Sequence, residues 1–176
     1  STQLITNGMS GTISMDVTAD VAEWLADPGS NHGLVVRLAG SGGGSIEFIS
    51  TQGGGGPRLK LEFSGSGESE SGGGDIGVPP TNELVFSPVA DTYLRNGSAN
   101  QNQGDLTTMV VRSSGKDRGL VAFDPAELSQ ISGQVVSARI ELQIEDLATN
   151  WGEGRTVGAH RMNTAWTELG ATWNCA

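Results

Sequence analysis

Apolar and polar residues alternate with a period of two in many short segments, and turn residues interrupt them at close intervals. That pattern constrains the fold of this chain more than any other feature. The clearest segment is Val135 to Ile144, where Val136, Ala138, Ile140, Leu142 and Ile144 fall on one side of an extended chain and are expected to point inward. Further strands are predicted over Leu84 to Phe86, Asp91 to Leu94, Thr107 to Arg112, Arg118 to Phe123 and Thr156 to Arg161, with another proposed at Ala171 to Trp173. A chain so divided can bury its apolar faces only by packing sheet on sheet. The expected fold is all-β: a jelly-roll-like, two-sheet antiparallel sandwich of about ten strands with one or two short helices.

The first third follows the same rule with one exception. Ile13, Met15 and Val17 point one way and Thr12, Ser14 and Asp16 the other. From Asp16 the period becomes helical, placing Val17, Val21, Trp24 and Leu25 on one face, with Thr18 or Asp20 positioned to cap the turn. Asp27-Pro-Gly-Ser-Asn-His-Gly ends that helix and leads into Leu34 to Leu38, whose consecutive apolar residues imply burial on both faces. Ile46 to Ser50 and Leu59 to Phe63 flank Gly53 to Gly56, which reads as a loose hairpin loop. Pro125 to Ile131 can form one helical turn with proline at an early position.

Between the strand-rich blocks, Ser64 to Val78 is glycine, serine and glutamate with almost nothing apolar, and Pro79-Pro-Thr follows it. The chain therefore divides into residues 1–63, a linker at 64–82, and residues 83–176. A flexible chain of about 15 residues spans roughly 20 Å, enough to reconnect the blocks within one sandwich or to bridge to a neighbour. The same tract also suits an ordinary linker in a tandem array.

Twenty acidic residues against ten basic ones give a formal charge of −10. Affinity for a polyphosphate backbone rests on clustered Lys and Arg, and here they are scattered, so nucleic acid is not an expected partner. No apolar run is long enough to cross a bilayer, and membrane insertion is not expected. The chain opens on Ser1 without a signal-peptide pattern and reads as a mature or excised piece. Cys175 is the single cysteine, leaving a free thiol, an intermolecular bridge or a partner outside this sequence. Low lysine and abundant Ser, Thr, Asn and Gly suit an extracellular or cell-surface β protein.

Several motifs extend this reading. Pro88-Val-Ala-Asp-Thr-Tyr-Leu, Arg118-Gly-Leu-Val-Ala-Phe-Asp, Ser137-Ala-Arg-Ile-Glu-Leu and Trp166-Thr-Glu-Leu-Gly-Ala-Thr-Trp-Asn resemble the first half of a DNRLRE-type, disaggregatase-related domain. The segments beginning at Ile13, Asn31, Ser45 and Pro57 resemble its closing strands, so the chain is out of phase with the domain. The resemblance implies a non-catalytic secreted β-sandwich, with carbohydrate binding attributed to some members.

The chemistry-bearing residues agree. Neither a Gly-x-Ser-x-Gly elbow nor a His-Glu-x-x-His pair occurs, and no two carboxylates are marked as opposed across a cleft, so no enzyme is expected. Asp91, Asn96, Asn100, Asn102 and Asp105 lie on one strand-loop unit and Asp124 ends another strand; such oxygens suit Ca²⁺, and equally a polar loop of Asx-turns. Asp91 and Arg118 could instead form a hydrogen-bonded or charge-paired set. Trp24, Trp166 and Trp173 sit at apolar-periodic positions and read as core. Trp151, in a Gly-rich loop with Asn150, Glu153 and Arg155, is the candidate sugar platform, or a lid over the sandwich edge.

Two functions follow as expectations. In one, the out-of-phase halves complete each other between copies, head to tail, forming an extracellular filament or matrix, or else close within one permuted monomer. In the other, the chain is a carbohydrate-binding module acting on extracellular polysaccharide.

Overall fold

The computed structural model describes residues 1–39, 43–64, 81–112, 116–147 and 154–175. Within them the all-β expectation holds. Eleven strands, β1 (Thr2–Ile5), β2 (Gly11–Asp16), β3 (Leu34–Ala39), β4 (Ser45–Ile49), β5 (Arg58–Ser64), β6 (Thr81–Phe86), β7 (Ala90–Arg95), β8 (Thr108–Arg112), β9 (Asp117–Ala122), β10 (Gln134–Leu147) and β11 (Arg155–Arg161), are joined by two helices, α1 (Thr18–Ala26) and α2 (Pro125–Leu128). All their ladders are antiparallel.

The strands form two layers. One runs β1-β11-β3-β9-β7; the other runs β8-β4-β10-β5-β6, with β2 on the opposite edge of β10. Among the described residues a single pair, Arg112 with Asp117, links the layers between β8 and β9. The inner faces meet in one apolar core that includes Leu34, Val36, Val121 and Val157 from the first layer and Ile46, Phe48, Leu61, Ile140 and Leu142 from the second. Helix α1 adds Val21 and Trp24 to it. Full burial of such side chains contributes about 1.5–3 kcal/mol each, which is why alternation alone predicts most of the core.

Among the described residues every ladder made by β1 to β5 is with a strand of the second block, and none joins two of these five strands. The halves therefore close on each other within this one chain. The linker has little to span, because Ser64 at the end of β5 is paired with Thr81 at the start of β6. Residues 65–80 connect two neighbouring positions of one ladder.

Local detail departs from the sequence reading in five places. Register against β5 shifts between Val135 and Ser137; this bulge turns Val136 outward to 52% exposure, while Val135 packs on the core. Gly53 to Gly56 joins no hairpin: β4 and β5 lie one after the other along β10, and residues 50–57 form an excursion between them. Neither Thr18 nor Asp20 caps α1. Instead the Asp16 carboxylate accepts from the Thr18 N–H (2.8 Å), and the Thr18 hydroxyl accepts from the Ala138 N–H (2.9 Å). The bonds from Thr18 hold the Asp16 carboxyl below its usual range. Ala171 to Trp173 forms no strand, since the Ala171 N–H closes a turn onto the Thr167 carbonyl. The edge strand β1 has no counterpart among the predicted strands.

Candidate functional site

The outward side chains of β2, β10 and β5 form a polar surface built by strict alternation. Gln143 stands opposite Thr12, Glu141 between Ser14 and Arg58, Arg139 between Asp16 and Lys60, and Ser137 opposite Glu62. An open groove of about 220 Å³ crosses it, lined by Thr12, Gly55, Gly56, Arg58, Glu141 and Gln143. A second depression, of about 80 Å³, continues from Glu141 along Lys60, Arg139, Ser137, Glu62 and Glu83.

Charge in the groove is organised unevenly. Lys60 pairs with Glu141 (3.2 Å), Arg139 approaches Glu62 (4.0 Å), and the Ser137 hydroxyl donates to Glu62 (3.0 Å). Arg58 is exposed and has no ion-pair partner among the described residues, so its guanidinium donors face solvent. The lining offers amide, hydroxyl, carboxylate and guanidinium groups, which suit hydroxyl-rich ligands. Among the described residues no aromatic ring lines it, so recognition here would run through hydrogen bonds.

The excursion at 50–57 forms one wall. Gly56 approaches Thr51 so closely that an added Cβ would lie 2.7 Å from the Thr51 nitrogen, and one on Gly53 would lie 2.5 Å from the Thr107 carbonyl. These glycines let the backbone fold back on itself. On its other side the excursion meets Asp91, whose carboxylate accepts from the Thr51 N–H (2.8 Å).

The opposite layer is covered. Residues 162–175 cross its outer face, where Trp166, Trp173 and Met162 pack with Val35 on Leu94, Leu120 and Ala171. The Trp166 indole donates to the His32 carbonyl (2.9 Å), and the Arg118 guanidinium lies 4.9 Å from the Trp173 ring centre. Trp24 is buried in the main core, so all three tryptophans expected inside pack against apolar side chains.

The residues singled out from sequence scatter. Asn150, Trp151 and Glu153 lie outside the described residues; Arg155 begins β11 opposite Ile5. Of the expected calcium ligands, Asp124 accepts from the Ala126 N–H (2.8 Å) as the cap of α2. Asn96 sits in a turn beyond the far end of β7, Asn100 accepts from the Asn174 side chain (2.7 Å), and Asp105 is exposed. Asn102 donates to the Glu168 and Ala171 carbonyls (2.6 and 2.8 Å). Asp91 and Arg118 cannot face each other, because Arg118 pairs with Leu94 and Asp91 projects from the opposite face of that ladder. Asp91 instead meets Glu168, which sequence reasoning passed over as part of a tryptophan-rich core motif: the Asp91 N–H donates to the Glu168 carboxylate (3.1 Å).

The family model of carbohydrate-binding module family 96 matches residues 82–176, more than half of the chain. The chain belongs to that family. No curated protein and no solved structure matches it. The matched region runs from β6 through the tryptophan-bearing tail, whereas β1 to β5 precede it. In this family member the groove is therefore composite. Glu141 and Gln143 lie in the matched region, and Thr12, Gly55, Gly56 and Arg58 lie before it.

Proposed function

We propose that the chain is a non-catalytic, extracellular carbohydrate-binding module, and that the groove across β2, β10 and β5 holds the glycan. The observation that carries this reading is the groove itself: an open, largely polar surface with an arginine that has no ion-pair partner among the described residues, in a family of carbohydrate-binding modules. Polysaccharides, neutral and acidic, should bind with Kd of about 10⁻⁶ to 10⁻³ M, or roughly −8 to −4 kcal/mol. Calorimetry on Arg58→Ala and Gln143→Ala tests the assignment, each being expected to weaken binding about tenfold, equivalent to the loss of about 1.4 kcal/mol. Unchanged binding in both variants, with loss in Trp151→Ala, would move the site to residues 150–155.

A second reading rests on the topology. Strands β1 to β5 pair only with the second block, so the same strands of a neighbouring copy could take their place. Such an exchange is head-to-tail and need not close, giving the filament or matrix expected from the out-of-phase order of DNRLRE-like halves. Light scattering over a concentration series, with negative-stain imaging, separates the two. Growth in mass supports exchange, and a constant mass near 18.2 kDa removes it.

A further inference from the structure

Asp91 is completely buried; one carboxylate oxygen accepts from Thr51, and the other, Oδ1, has no hydrogen-bond partner among the described residues. A buried, half-satisfied carboxylate is costly unless something compensates it. The charged neighbour acting on it is Glu168, a second carboxylate. Burial pushes the Asp91 carboxyl up, the Thr51 hydrogen bonds oppose that, and repulsion from Glu168 adds to it.

Four segments converge here and hold Glu168 in place. One of its oxygens accepts from the Asp91 N–H (3.1 Å) and from the Gln52 side chain (3.0 Å), while Asn102 fixes its carbonyl. Gly104 packs so tightly that an added Cβ would lie 2.8 Å from the Glu168 side chain. Among the described residues the other Glu168 oxygen accepts no hydrogen bond, and neither does the Gln52 amide oxygen. The Ser50 hydroxyl ties Leu106 to the same junction (2.6 Å).

We propose that Asp91 and Glu168 are the carboxylate ligands of a divalent-cation site, best matched to calcium, where β7, the 50–57 excursion, the 102–107 loop and the 167–171 turn meet. The donors are hard oxygens contributed by separate segments, an arrangement that suits the variable coordination of calcium better than the rigid octahedron of magnesium. Two carboxylates would then share one cation, which also explains why an unpartnered Oδ1 is tolerated in the interior. Of the ligands expected from sequence, Asp91 belongs to the site and Asn102 supports it. Asn96 and Asp124 do not.

The test is thermal melting and calorimetry of the intact chain with calcium alone, against EDTA and magnesium. Half-saturation is expected at about 10⁻⁴ to 10⁻³ M, as in extracellular calcium modules. Near-saturating calcium should raise the melting temperature by roughly 5 °C or more. Glu168→Gln keeps an oxygen to accept from Asp91 and Gln52, so it should fold, and it should weaken calcium binding at least about tenfold. Asp91→Asn should abolish the calcium response and, in EDTA, melt no lower than the parent. Identical melting of the parent in calcium and EDTA, with no heat of binding, would overturn the site, as would an undiminished calcium response in Glu168→Gln.

Discussion

The two outer faces of this sandwich are made by the same pleat and treated in opposite ways. Over β3, β9 and β7 the outward residues include Val35, Leu120 and Leu94, and the chain covers them with its own tail and two tryptophans. Over β2, β10 and β5 the outward residues are polar or charged apart from Val136 at the bulge, and among the described residues no segment covers the groove they line. A strand that is apolar on both faces demands a cover, so its outside becomes core. A strand that alternates strictly leaves its outside free, and here a ligand can reach it.

Replacing Trp173 with alanine breaks this contrast most directly. It should cost about 2–4 kcal/mol in urea denaturation, a partly exposed version of a large-to-small core change. Arg58→Ala, a truncation on the bare face, should stay within about 0.5 kcal/mol while weakening glycan binding. Equal losses from both would mean that the bare face is structural.

The architecture was legible because burial on one face imposes the alternation that sequence displays. Leu34 to Leu38 was read as buried on both faces, and this holds in part: Leu34, Val36 and Leu38 face the core and Val35 lies half-buried under the tail, while Arg37 is exposed. Val136 failed because a single bulge reverses the side of every residue beyond it, and the register shift depends on β5, far away in sequence. The groove was invisible for a related reason. Glu141 or Gln143 on an alternating strand looks like any solvated position until Thr12, Arg58 and the glycines are brought beside it. Likewise Asp91 was noticed, yet its partners Thr51 and Glu168 are 40 and 77 residues distant.

The excursion at 50–57 is where the contrast can be sharpened, since it walls the groove and also touches Asp91. Gly56→Ala would push a methyl group against the Thr51 backbone, which must shift. A loss of about 1–3 kcal/mol is expected. Glycan affinity should fall with it, unlike the effect of Trp173→Ala, which acts on the other face. A variant that loses stability and keeps full affinity would show that the wall is not part of the binding surface.

On the covered face, Arg118 contributes less. Its guanidinium over Trp173 is worth about 0.5–1 kcal/mol at a partly exposed position. Arg118→Met, which keeps an aliphatic stem over the ring, should lower stability by about that amount in urea and leave the groove untouched. A larger loss would mean that the charge has a further structural role.

The smallest expected effect belongs to His160, in β11 opposite Val35. Burial and the neighbouring Arg37 lower its pKa from the usual 6.5. Between the lowered folded value and 6.5 the unfolded chain binds more protons than the folded one, so stability rises with pH across that window. The contribution is fully present above 6.5 and is lost as pH falls through the folded value. Because His160 is partly exposed, the slope should be shallow, and comparing the pH profile of urea midpoints with that of His160→Gln isolates it. A parental profile no steeper than that of the variant would show that protonation at this edge of the first layer is no more costly in the fold than in the unfolded chain.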